Sequence, residues 1–269
     1  MYIIVGETAS GKSAYALNLA KKVNGCVINA DSQQIYKELP ILTAQPSFED
    51  MRNVPHMLYS KYNYYEQISA YKWACDAQIA VQNALRNKLV PILVGGSGMY
   101  IDVFCNGIAS IPNVPRIIDN VKNVYEELMQ VDEVMAQQIG PHHHSRLSRA
   151  LAVKKFTGKS LNEWYNEPKI QFCDISYNIE RIVCEKNTLR ERIIRRVNAM
   201  FPNVLQEVAN FKGKECSAIG FLEITNILQK KQSIQNMKNK IVQKTMQYAK
   251  RQRTWFNKYL PSNTIYREL

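Results

Sequence analysis

The stretch Gly6-Glu7-Thr8-Ala9-Ser10-Gly11-Lys12-Ser13, directly after the apolar run Tyr2-Ile3-Ile4-Val5, decides the fold. Its spacing fits G-x-x-x-x-G-K-[ST], and the β-branched run before it reads as a buried strand feeding a loop. Gly6 and Gly11 accept backbone angles that other residues resist, so successive N–H groups can turn inward on a phosphate. Lys12 adds a point charge, and the Ser13 hydroxyl could hold Mg²⁺. Past the loop, Ala16, Leu17, Leu19 and Ala20 fall at helical spacing, and Lys21 and Lys22 suit a helix C-terminus. The loop therefore opens a helix whose N-terminal dipole favours an anion. Strand, glycine loop and helix in this order predict an α/β fold: a P-loop NTPase-like parallel sheet flanked by helices.

A chain of 269 residues supports one sizeable core, or a core with a small inserted domain. No uninterrupted apolar run reaches membrane-spanning length, and no charged segment precedes the first strand. Neither a membrane span nor a signal peptide is read, and a cytoplasmic protein is expected. The formal net charge of +12 and pI near 9.4 point to a polyanionic partner. The distribution sharpens this: no acid occurs between Glu223 and Glu268, a window that carries Lys238, Lys240, Lys244, Lys250, Arg251, Arg253 and Lys258. Such clustering fits phosphate contacts better than solubility. The six cysteines form no C-x-x-C pair, against both a zinc ribbon and a disulfide framework.

Along the chain, Gly25 to Ala30 reads as a second short strand ending on Asp31. Ligands of open parallel sheets gather at the carboxyl ends of strands, so Asp31 emerges on the edge that carries the glycine loop. Position alone leaves three roles for it: a general base, an acid that orients Mg²⁺, or the N-cap of a helix starting at Ser32. Residues 40–55 read as irregular loop and 65–88 as a long helix. A third buried strand, 89–94, runs into the glycine turn Gly95-Gly96-Ser97-Gly98, and a helix follows to about Cys105. Composition shifts at Ile111-Pro112. Helix is expected over 116–139 and 145–156, the second bearing Arg146 and Arg149 at i, i+3. His142-His143-His144, beside Gly140-Pro141, reads as a solvated loop ahead of a metal site, because adjacent histidines cannot easily converge on one ion. A strand within 174–185 leads to a helix over 189–200, with Thr188 as its expected cap. There Arg192 and Arg196 share a face, which suits either a grip on one diphosphate or a solvated basic surface. A last long amphipathic helix spans about 233–259. The expected layout is a catalytic core over 1–111 and 172–269, interrupted by a helical insertion at 112–171.

These blocks resemble the tRNA dimethylallyltransferases, also called tRNA isopentenyltransferases, over nearly the whole chain. The likeness is carried by GETASGKS at Gly6, ADSQQIY at Ala30, TAQPS at Thr43, VPHML at Val54 and LVGGSGMYI at Leu93. It continues in SRLSRALAV at Ser145, TGKSL at Thr157, RERIIRRVNAM at Arg190, AIGFLEI at Ala218 and QYAKRQRTWF at Gln247. The resemblance implies transfer of a dimethylallyl group from its diphosphate to N6 of the adenosine adjacent 3′ to the anticodon, position 37. Gly6, Thr8, Ala9, Ser10, Gly11, Lys12 and Ser13 would bind the diphosphate, with Mg²⁺ on Ser13. Arg192 and Arg196 would neutralise the leaving group, and Asp31 would accept the proton from the amine. It also implies a flipped adenine read by Asp31, Ser32, Gln33 and Gln34, with Ser97 touching the RNA. Arg116, Ser145, Arg146 and Arg149, in the insertion, would contact the anticodon stem. The chain departs from the family pattern at Glu7, where Pro is usual, at Gln45, where Lys is usual, and at Met57, where a second His is usual. The expected partners are tRNA and dimethylallyl diphosphate, with a monomer expected and no membrane. Two rival readings share the loop: a nucleotide or small-metabolite kinase, which leaves the basic C-terminal window without a use, and a non-catalytic RNA-binding protein.

Overall fold

The computed structural model describes residues 1–66, 68–115, 117, 121–213, 216–229 and 233–269. It forms two compact units, Met1–Cys105 with Phe172–Leu269, and Asn106–Gln171. The first opens with β1 (Tyr2–Gly6), α1 (Lys12–Val23), β2 (Gly25–Asn29), α2 (Phe48–Asn53), β3 (His56–Met57), α3 (Ala70–Arg86), β4 (Val90–Gly95) and α4 (Gly98–Asn106). The second holds β5 (Ile108–Ala109), α5 (Val121–Val131), α6 (Glu133–Ile139), α7 (His144–Thr157), α8 (Leu161–Tyr165) and β6 (Lys169–Ile170). The chain returns to the first unit through β7 (Asn178–Val183), α9 (Lys186–Ala199), α10 (Asn203–Ala209), α11 (Phe221–Leu228), α12 (Ile234–Tyr259) and β8 (Ile265–Glu268).

A parallel sheet in the order β3-β2-β4-β1-β7-β8 forms the centre of the first unit. Because β1 lies inside it, Ile3, Ile4 and Val5 are fully buried, which is why this strand reads as an unbroken apolar run. Ile4 packs with Ala16 and Ala20 of α1 and with Val27, Ile92 and Ile182 of neighbouring strands. Trp73 of α3 stacks on Tyr100 of α4 with centroids 4.5 Å apart, and its indole N–H donates to the Asn29 carbonyl at 3.0 Å. The ends of β2 and β4 come so close that a Cβ on Gly95 would sit 2.0 Å from the Ala30 carbonyl oxygen. Glycine at this position puts Asp31 and the second glycine turn on one edge, beside the β1–α1 loop.

Local structure differs from the sequence expectations in four places. Residues 32–36 make turns and no helix: the Asp31 carboxylate accepts from the Gln33 N–H at 2.9 Å and its carbonyl from the Gln34 N–H at 3.0 Å. This local side-chain bond competes with helix initiation, so Asp31 caps no helix. The presumed loop of residues 40–55 contains α2, started by a reciprocal capping box between Ser47 and Asp50. Asp132, which accepts from the Met135 N–H, separates α5 from α6 where one helix was expected. Glu185, not Thr188, caps α9 by accepting the N–H groups of Asn187 and Thr188.

The second unit buries Val124 and Leu128 of α5 against Leu147, Ala150 and Leu151 of α7, with Met135 and Ala136 of α6. On α7 the apolar stripe leaves Ser145, Arg146 and Arg149 exposed. Arg116 lies outside the described residues.

Candidate active site

The β1–α1 loop is shaped by two residues in the left-handed region, Ala9 at φ 64° and Gly11 at φ 100°. Such alternation lets consecutive N–H groups converge on an anion. The loop is also held from outside. The Thr8 N–H donates to Gln252 Oε1 of α12 at 2.8 Å, and Gln252 Nε2 donates to the Gly96 carbonyl at 2.9 Å. One buried amide thus joins the first glycine loop to the second. Arg196 donates to Thr8 Oγ1 at 3.1 Å, and Arg192 to the Ser10 carbonyl at 2.8 Å.

Above the loop is a cavity of about 320 Å³. Of the residues expected at a diphosphate, Thr8, Ala9, Gly11, Lys12 and Ser13 line it, together with Arg192 and Arg196. Gly6 and Ser10 do not. Gly6 abuts the Ile182 carbonyl, and the Ser10 N–H is spent on the Glu7 carbonyl while its hydroxyl is fully buried. Arg192 also gives a second bond to the Leu269 carbonyl, so its guanidinium is shared between the loop and the chain end. Of the residues expected at the nucleobase, Asp31, Gln33 and Gln34 line the cavity, whereas Ser32 and Ser97 bond each other, Oγ to Oγ at 3.0 Å, and stand behind it. Gln34 spends its amide hydrogens on the Thr43 and Ala44 carbonyls. Ser145, Arg146 and Arg149 belong to the second unit.

Asp31 is almost fully buried. Its backbone is fixed by Asn29, which accepts the Asp31 N–H at 2.9 Å and donates to its carbonyl at 3.1 Å. Among the described residues one carboxylate oxygen, Oδ1, takes the Gln33 N–H and no hydrogen bond occupies the other. The charged lining is three cations and one carboxylate, a balance suited to a multiply charged anion. Burial lowers the Lys12 pKa from its ordinary value of 10.5; Asp31 and Glu7 pull it back up, and Arg196 pushes it down. Burial likewise lowers Arg196, against the support of Asp31. Both cations are thus held in a poorly solvated pocket whose lining carries a single carboxylate, and a polyanionic ligand would relieve both. Tyr248, which lines the cavity and bonds Ser97 and Gln252, is raised in pKa by burial and by Asp31, so it stays a neutral hydroxyl.

The acid at Glu7 does not face this cavity. It is buried, accepting from Arg253 Nε at 2.9 Å and from Arg181 at 3.4 Å, while its carbonyl accepts from Lys12 Nζ at 3.4 Å. Gln45 is likewise structural: it donates to the Tyr36 carbonyl and accepts from the Ser60 hydroxyl, both at 2.7 Å. Nothing in the structure explains Met57. Among the described residues no group of three or more His, Cys, Asp or Glu could hold a metal, the three histidines included. A divalent ion at this pocket would rest on the exposed Ser13 hydroxyl at the start of α1 and on oxygens of a bound phosphate. That donor set suits Mg²⁺, which keeps several waters and needs no all-protein cage.

Sequence reasoning missed Gln252, Tyr248 and the apolar lining Leu42, Val197, Met200, Ile219 and Ile241. A signal existed for the first: Ile241, Thr245, Tyr248, Gln252 and Phe256 repeat at helical spacing, and a glutamine on an apolar stripe asks for buried partners.

A family profile described as IPP transferase matches residues 34–259. A tRNA dimethylallyltransferase of Pelagibacter ubique is 34% identical over 94% of this chain and 87% of its own length. One from Zymomonas mobilis is 36% identical over 94% and 86%. Among solved structures, a eukaryotic dimethylallyltransferase described as acting on tRNA superposes with a TM-score of 0.83 at 25% identity, covering 100% of this chain and 73% of that one.

Proposed function

The chain belongs to the IPP transferase family of tRNA dimethylallyltransferases, and on that premise we propose how its pocket carries out the reaction. The protein is a prenyltransferase. It moves a dimethylallyl group from dimethylallyl diphosphate to N6 of the adenosine adjacent 3′ to the anticodon, with release of diphosphate.

The diphosphate sits on the main-chain amides of the β1–α1 loop with Lys12, Arg192 and Arg196 around it. As the C1–O bond breaks, its electron pair goes to the diphosphate oxygen, and these cations meet the charge that develops there. Mg²⁺, held on Ser13, would supply further neutralisation of the diphosphate oxygens. The N6 lone pair forms the new N–C1 bond, and the N6 proton passes to the carboxylate of Asp31. Delocalisation into the purine makes this amine a poor nucleophile, so proton removal in the transition state is where a base contributes most. The adenine must leave its stack to reach so enclosed a carboxylate, and Gln33 lies beside it for reading the flipped base. Arg146 and Arg149 on the exposed face of α7 contribute phosphate contacts to the anticodon stem.

The observation that carries this reading is one cavity lined both by a phosphate loop with three cations and by a buried carboxylate with one oxygen that, among the described residues, accepts no hydrogen bond. The test is incubation with an anticodon stem-loop RNA, Mg²⁺ and dimethylallyl diphosphate, followed by mass analysis. One added five-carbon unit on the loop adenosine is expected. Phosphorylation of a nucleoside with ATP, and no prenyl transfer, would refute it.

A further inference from the structure

We propose that Arg253 is a positioning residue for diphosphate binding and acts through Glu7: it draws the buried acid of the phosphate loop onto α12 and cancels a charge that would otherwise oppose the anion the loop receives. The inference rests on the reading of the cavity as a diphosphate site and adds the group that makes an acid tolerable beside it.

A loop that collects amide hydrogens and a lysine around an anion gains nothing from a carboxylate at its second position. Glu7 precedes Thr8, which lines the cavity, and its own carbonyl accepts from Lys12 Nζ at 3.4 Å. The acid therefore belongs to the residue that touches the ligand-facing lysine. Its charge also reaches that lysine, since Glu7 is among the groups that raise the Lys12 pKa against burial. A carboxylate that attracts this cation repels an anion bound next to it.

Glu7 is 1% exposed, so water does not screen it and protein groups must. Its Oε1 takes both arginines, and its Oε2 has no hydrogen-bond partner among the described residues. The two arginines are not equivalent. Arg253 Nε stands at 2.9 Å, whereas Arg181 Nη2 stands at 3.4 Å. Arg181 is also committed elsewhere: its Nη1 donates to Asn257 Oδ1 at 2.6 Å, and its guanidinium lies over the rings of Phe256 and Tyr266. Arg253 is thus the near partner, and its direction is fixed by a second bond, from Nη2 to the Cys184 carbonyl at 3.2 Å. The residue before it, Gln252, accepts the Thr8 N–H. Two consecutive side chains of α12 therefore grip two consecutive loop residues, one by its main chain and the other by its charge.

The test is pyrophosphate binding by isothermal titration, with melting temperature recorded beside it, in the wild type, Arg253→Met, Glu7→Gln and the double variant. Arg253→Met strands the acid and is expected to weaken binding about 10-fold or more, the effect of one charge acting through a protein interior. Glu7→Gln removes the charge that needs cancelling and keeps an acceptor for Arg253, so its affinity should stay within about 3-fold of the wild type. The double variant should recover to the same range whatever its melting temperature. A role in packing alone predicts the reverse, a double variant at least as impaired as Arg253→Met. An Arg253→Met protein that binds like the wild type overturns the proposal, as does a double variant no better than it. Should Arg253→Met fail to fold, the other two variants decide: affinities near the wild type support cancellation of charge, and a loss of about 10-fold or more in either overturns it. A wild type that binds no pyrophosphate is a different result: it removes the diphosphate reading of the cavity, and the role of Arg253 with it.

Discussion

At the scale of single residues, the pocket sets one carboxylate against three cations in a poorly solvated space. Asp31→Asn keeps the shape and the turn-forming side-chain oxygen but cannot take a proton. It is expected to lower the rate of prenyl transfer by about 10²-fold or more while leaving tRNA affinity nearly intact, as measured by single-turnover kinetics beside a filter-binding titration. Lys12 adds a pH dependence with two opposite signs. Its pKa in the folded protein is below the ordinary 10.5, so the amine loses its proton earlier as pH rises, and pyrophosphate affinity should weaken on the alkaline side at lower pH than an ordinary lysine would give. Folding responds the other way: between the lowered value and 10.5 the unfolded chain binds more protons, so this group's contribution to stability rises with pH there. Isothermal titration of pyrophosphate across that range reads the first and chemical denaturation the second, each set against Lys12→Met. Glu7 acts by position. Replacing it with alanine leaves Arg181 and Arg253 buried or half-buried without their carboxylate, and a loss on the order of 3 kcal/mol in chemical denaturation is expected.

At the scale of elements, the phosphate loop is positioned by parts far from it in sequence. Gln252 spans from Thr8 to Gly96, and α9 reaches the loop through Arg192 and Arg196. The ends of β2 and β4 approach closely, where Gly95 faces the Ala30 carbonyl. Gly95→Ala places a methyl group against backbone that cannot move aside, so it should cost more than about 3 kcal/mol, read as a large fall in melting temperature. A variant that melted like the wild type would show that the two strand ends are not so tightly joined. Several elements were legible from sequence: β1 and β4 as unbroken apolar runs, α1 and α12 by apolar positions at helical spacing, and α9 by its repeated arginines. The two-residue strands β3, β5 and β6 are too short to carry a period, and α2 was hidden among prolines although its Ser47–Asp50 box was readable. Asp31 as a helix cap was refuted because the Asx turn it makes is favoured by the same side chain.

At the scale of the whole molecule, a net charge of +12 makes the affinity for RNA a matter of counterion release. Arg146 and Arg149 are exposed on α7, whose other face is buried, so replacing either with alanine should spare the fold of the second unit. Each substitution is expected to weaken tRNA binding and reduce the slope of log K against log salt by about 1, measured by binding titrations at several salt concentrations. An unchanged slope would remove these side chains from the interface.

The sequence by itself determined the phosphate loop, its strand and helix, the carboxylate on the same sheet edge and the basic bias of the C-terminal window. These follow from local spacing, residue type and the alternation of strand and helix, all of which act over a few residues. Only the tertiary structure decided that Ser10 and Gly6 turn away from the cavity, that Glu7 is neutralised by Arg181 and Arg253, and that Leu42, Met200, Ile219 and Ile241 line the same cavity as the loop. Those outcomes depend on which distant side chains the packed core brings into contact, and no local periodicity carries that choice.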